Sequence, residues 1–120
     1  MTTLTEGRHA GEYIVSEANG CRSRETITLT GGPYVPGTIL GKITASGKYT
    51  VYDQDAADGT EAAAAILYDH ADGSAADVEA VVDIRDIEVN GYDLTWPGDI
   101  DAGEKVIAIA ELAALGVIVR

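Results

Sequence analysis

The chain has 120 residues, 46% of them hydrophobic, and a net charge of −12, which is a globular composition with room for one core. Acidity of this degree argues against a nucleic-acid partner, because such a surface repels the phosphate backbone. A single cysteine, Cys21, excludes an internal disulfide and any multi-cysteine metal site.

The apolar set contains no Phe, one Trp and one Met, so the core is expected to be built from Ala, Val and Ile in closely packed strands. No stretch approaches the ~20 apolar residues of a membrane span, and no membrane partner is expected. Met1 to Glu6 has neither a basic start nor an apolar run, so no export signal is expected and synthesis is placed in a cytoplasm-like setting. The charge is unevenly spread. Residues 1–50 hold five Lys and Arg against four Glu, whereas residues 51–101 hold fourteen acids against Arg85 alone. Glu104 and Glu111 then balance Lys105 and Arg120.

In chain order, residues 1–25 read as a polar, strand-prone N-terminal arm, and residues 26–120 as one β-rich domain. Within the arm, Tyr13-Ile14-Val15 is a short strand with Tyr13 and Val15 on one face and Ile14 on the other. Thr26 to Thr30 alternates, with Ile27 and Leu29 on the buried side, and Gly31-Gly32-Pro33 is expected to stop that strand. Residues 38–44 and 48–52 read as two strands joined through Ala45-Ser46-Gly47. Asp53 to Gly59 is a loop. Ala62 to Tyr68 is a continuous small-apolar run read as a buried strand, with Asp69 to Ser74 as a break. Alternation returns from Asp77, with Val78, Ala80, Val82 and Ile84 on one side. Asn90-Gly91 predicts a hairpin between Ile87–Val89 and Tyr92–Leu94, closed by Trp96-Pro97-Gly98. Asp101 and Glu104 form a capping-box pattern opening one late helix. Val106, Ile109, Ala110 and Ala113 are its expected core face, Gly116 its stop and Val117 to Val119 a terminal strand.

The residues that carry chemistry elsewhere do not assemble into a motif here. From Asp53, a calcium loop needs ligands at its first, third and fifth positions, Gly at the sixth and Glu at the twelfth. Ala57, Asp58 and Ala64 occupy the last three, so the loop acids are read as turn formers. His9 and His70 are in no metal-ligand or nucleophile spacing. The glycine pairs lack the helix start that a phosphate-cradling loop requires. No enzyme, cofactor or metal is expected. Trp96 with Pro97 is either a core plug at the end of the hairpin or a subunit-interface anchor. The residues alone also leave open a small acidic binding module for a divalent ion or a glycan.

Several ordered segments resemble the lambda-type head decoration family of tailed phages. They are Gly11 to Glu17 with Arg22-Ser23-Arg24-Glu25, Pro36 to Gly41 with Ser46-Gly47-Lys48-Tyr49, Ala65 to Tyr68, Trp96-Pro97, and Ala113 to Ile118. The resemblance implies a beta-clip-like β fold with a small helical element and no catalytic activity. It implies a homotrimer on the outer surface of the virion, bound to the major capsid protein at three-fold and quasi-three-fold positions after the shell expands. In that frame, Leu4, Tyr13, Ile14, Val15, Arg22 and Arg24 are the candidate capsid-binding residues. Tyr13 to Val15 would add a strand to the capsid protein, and the two arginines would meet acidic groups of the shell or of a neighbouring copy.

Overall fold

Among the described residues the chain forms eight strands and one α-helix. They are β1 (Ile14–Glu17), β2 (Arg24–Tyr34), β3 (Ile39–Lys42), β4 (Tyr49–Val51), β5 (Ala65–Leu67), β6 (Ala71–Asp83), β7 (Ile87–Val89), α1 (Ala102–Ala114) and β8 (Val117–Val119). The computed structural model describes residues 9–20 and 22–120. The architecture is mainly β, 41% strand and 14% helix, with the helix late in the chain as expected.

Two sheets divide the strands. A closed barrel runs β2-β4-β3-β5-β6 and returns to β2, while β1, β7 and β8 form a separate sheet in the order β1-β7-β8. The long antiparallel pair β2–β6 is the wall of the barrel, with Ile27 opposite Ala80 and Leu29 opposite Val78. Leu29, Leu40, Ala65, Leu67, Ala80 and Val82 fill its interior. β3 and β5 are buried on both faces, which explains why the run through Ala65–Leu67 shows no alternation. Their other faces, Ile39 and Ile66, join a second core with Tyr13, Val89, Ala108, Leu112 and Val117. The small sheet and α1 are thus held against the outside of the barrel.

Four local expectations change. Gly31-Gly32-Pro33 does not end β2, which runs on to Tyr34 through register shifts at Leu29/Gly31 and Gly31/Tyr34. Gly31 and Gly32 take φ of +82° and +128°, so they form bulges that only glycine tolerates well. The partner strand β6 accordingly starts at Ala71, inside the stretch read as a break. There Gly73 lets the strands close, since a Cβ on it would lie 2.6 Å from the Leu29 carbonyl oxygen.

Asn90-Gly91 makes no hairpin: the Asn90 side chain instead accepts from the Tyr92 N–H and caps a short 3-10 turn over Gly91–Asp93. β7 is already paired on both sides, antiparallel to β1 and parallel to β8, so no edge remains for a returning strand.

The helix is the last change. Its start is as expected, with Asp101 accepting from the Glu104 N–H and the Glu104 carboxylate accepting from the Asp101 N–H. Its phase is not. Ala108 and Leu112 are the buried positions, while Val106, Ala110 and Ala113 are exposed. Apolar residues occupy almost every side of α1, so spacing alone does not select the stripe that Leu112 buries against the second core.

Candidate functional site

The barrel closes on itself through short contacts, β2 to β4 at Leu29–Tyr49 and β5 to β6 at Ile66–Asp83 and Leu67–Val82. Among the described residues, β1 and β8 are the edge strands of the small sheet. The N-terminal candidate residues lie on or beside β1, so this edge and its anchorage form the site.

β1 is held from both ends. Just before it, Tyr13 is fully buried in the second core and its hydroxyl donates to Asp83 Oδ2 at the end of β6. The Tyr13 carbonyl accepts from the Asn90 N–H at 2.7 Å. At its other end, Glu17 receives Arg24 at 2.7 Å, and the Arg24 guanidinium lies 4.2 Å from the centre of the Tyr68 ring. Ser23 adds a buried clip: its Oγ accepts from the Ala18 N–H and donates to the Asp86 carbonyl.

This joint is only partly satisfied. Among the described residues, Asp83 Oδ1, Glu17 Oε2 and Arg24 Nε are buried without a hydrogen-bond partner. Burial pushes the Asp83 carboxyl up to about 6; the Tyr13 hydrogen bond and Arg24 oppose the rise, and Glu17 adds to it. Burial, reinforced by Asp83, pushes the Tyr13 phenol far above its ordinary value.

The candidate residues separate into distinct roles. Tyr13 faces the core. Ile14 is half-buried and pairs with Val89, and the register then slips before Ser16 meets Glu88. That bulge turns Val15 to solvent, 56% exposed, so Val15 does not share a face with Tyr13. Arg24 is drawn into the joint, whereas Arg22 pairs with Asp86 at 2.8 Å in an exposed contact. Leu4 and Cys21 lie outside the described residues.

Trp96 is half-buried and packs against the second core, consistent with its reading as a plug. It lines a groove of about 390 Å³ with Tyr92, Ile109 and Val119, and Lys105 Nζ sits 5.7 Å from its ring centre. Pro97 is half-buried beside it and its carbonyl accepts from the Ile100 N–H. Sequence reasoning missed Asp83, Lys105 and the exposed side of α1. The signal for Asp83 was a carboxylate at the end of the apolar run Val81-Val82.

The acidic loop behaves as turn chemistry. Asp53 accepts from the Asp55 N–H, and Asp58 accepts from both the N–H and the hydroxyl of Thr60. Among the described residues, no group of three or more His, Cys, Asp or Glu is placed to hold a metal ion.

A closed barrel that carries an open-edged sheet and an exposed apolar helix defines a small β protein whose distinctive surfaces are suited to contacts with other proteins. The family follows from the sequence: the model of the bacteriophage lambda head decoration protein D family matches residues 3–117, and the chain belongs to that family. A search of curated proteins finds no match. Membership gives the chain a capsid decoration role on the phage head, within a structural family not normally enzymatic.

Proposed function

We propose that the chain is a cement protein of the phage head, bound as a homotrimer to the outside of the expanded capsid at three-fold and quasi-three-fold positions. There it clamps major capsid protein subunits against the pressure of packaged DNA. Residues 1–25 serve as the capsid-binding arm, and β1 pairs through its outer edge with a strand of the capsid protein. Leu4, Ile14 and Val15 supply side-chain contact alongside it, and exposed Arg22 exchanges or shares its acidic partner.

The observation that carries this reading is the outer edge of β1, which among the described residues pairs with no other strand. Main-chain hydrogen bonds give affinity in such an addition, and alternate side chains give register. The inner edge of β1 is already fixed by β7, and Tyr13 and Ser23 lock its two ends. The strand therefore loses little conformational entropy when it pairs, which favours binding. A net charge of −12 suits a place outside the shell, away from the genome. The chain would meet the shell in the host cytoplasm during assembly. The role is mechanical, and no step in it requires a cofactor.

Co-sedimentation with expanded and unexpanded shells tests the proposal. Removal of residues 1–25 is not a usable control, because it takes away the buried Tyr13 and all of β1. The full chain and a version lacking residues 1–8 are compared instead. Saturable binding of the full chain to expanded shells, weakened by the truncation, is expected. Failure of the full chain to bind expanded shells refutes the reading.

A further inference from the structure

Surface helices normally turn charge to water and apolar residues inward. α1 does the reverse. Its exposed residues are Ala102, Gly103, Val106, Ile107, Ala110, Ala113 and Ala114, all uncharged, with Val106 at 66% and Ile107 at 61% exposure. Its charged residues, Glu104, Lys105 and Glu111, are all half-buried. In a chain of net charge −12 this stripe is a surface that a like-charged molecule can approach without repulsion.

The flanks of the stripe differ in sign. At about 3.6 residues per turn the stripe covers roughly two-fifths of the helix circumference, with Lys105 beyond one side and Glu104 and Glu111 beyond the other. Among the described residues, Lys105 has an aromatic ring as its neighbour, Trp96, and no carboxylate within ion-pair distance, unlike Arg22, Arg24, Lys48, Arg85 and Arg120. Three helices related by a three-fold axis run in the same direction, and each sets one flank against the opposite flank of the next. The long Lys105 side chain can then reach round to a glutamate of the next copy.

We propose that the outward stripe of α1 is the contact between copies of this chain, with three α1 helices meeting around the trimer axis and Lys105 of each facing Glu104 or Glu111 of the next. This deepens the trimer reading above and rests on it. The small residues Ala110 and Ala114 allow the helices to approach closely, while Val106 and Ile107 are covered. The Trp96 groove at the Lys105 flank becomes the rim of the contact.

The test is zero-length carbodiimide crosslinking of expanded shells saturated with the chain, mapped by mass spectrometry. Two variants accompany it, a Val106→Asp/Ile107→Asp double and Lys105→Glu with and without Glu111→Lys. Crosslinks from Lys105 to Glu104 or Glu111 of a second copy are expected. The Asp double should reduce crosslinked trimer at least tenfold without changing the melting temperature, and Glu111→Lys should restore part of what Lys105→Glu loses. Crosslinks from Lys105 to the capsid protein alone, or trimer unchanged in the Asp double, overturn the proposal. A chain that does not bind shells refutes the decoration reading instead. The contact is then judged by sedimentation equilibrium of the free chain at high concentration. Self-association abolished by the Asp double supports it, and a monomer at all concentrations overturns it.

Discussion

The two halves of the molecule solve the same problem in opposite ways. The barrel closes its ring of five strands, and carries threonines and charges such as Thr26, Thr28, Glu25 and Glu79 on its exposed positions. The small sheet pairs three short strands, leaves β1 and β8 as edges and is backed by a helix with an apolar outer face. An open edge is a hazard that proteins usually cover or blunt. Here one half closes its strands into a ring with polar residues outside, while the other leaves its edge strands beside exposed apolar residues. That contrast places the contact surfaces on the open half and the rigid support in the closed one, with Tyr13 and Asp83 as the hinge pin between them.

Removal of that pin tests whether the halves are one cooperative unit. Tyr13→Ala empties a fully buried site and strips Asp83 of its donor. A loss of about 3–5 kcal/mol is expected, with urea unfolding still in a single transition. Leu40→Ala, in the barrel interior, should cost about 2–5 kcal/mol through the same transition. Two separate transitions in either variant would mean that the open half folds on a barrel that does not need it.

Asp83→Asn sharpens the comparison with the opposite sign. The Asp83 carboxyl stands at about 6 in the folded chain and near ~3.9 when unfolded. The folded state therefore binds the proton more tightly. The stability contributed by this group is complete below about pH 4 and is lost as pH rises through about 6. The asparagine variant should be more stable than the parent near pH 7, by on the order of 2–3 kcal/mol, and the gap should vanish toward pH 4. Melting curves of the two proteins across that window check the sign. A parent that gains stability on Asp83 relative to Asn as pH rises would show that Arg24 outweighs burial at the joint.

Features fixed by neighbours in sequence were legible, and those fixed by distant partners were not. Alternation in Ile27 and Leu29, the Gly47 hairpin and the Asp101–Glu104 capping box each depend on a few adjacent residues, and each forms. Gly31-Gly32-Pro33 carries every local sign of a stop, but β6 offers a long partner that holds β2 in pairing through two bulges. Asn90-Gly91 carries every sign of a hairpin, but β1 and β8 claim both sides of β7 first. The site follows the same division. A short strand around Tyr13 to Val15 was visible in its residue types. Its bulge and the partnership of Tyr13 with a carboxylate 70 positions away depend on tertiary packing alone. The phase of α1 was ambiguous because nearly all of its sides are apolar, and that same ambiguity is the trace of its second, outward stripe.

Two smaller changes address the open half directly. Asp101→Ala removes the side-chain acceptor of the capping box and should cost about 1 kcal/mol, read as a shift of the urea midpoint with unchanged slope. Val15→Lys should do less still to the fold, within about 0.5 kcal/mol, because Val15 is exposed at a bulge and makes no core contact. Its effect belongs to the edge. A lysine on an open strand is a device by which proteins discourage strand addition, since its charge must be desolvated when another chain pairs there. On the reading that β1 receives a capsid strand, Val15→Lys should weaken sedimentation with expanded shells at least tenfold while leaving the melting temperature in place. The matched control is Thr28→Lys, an exposed position on the closed barrel, which should alter neither. Equal losses from both variants would mean that added charge, and not the open edge, is what the shell rejects.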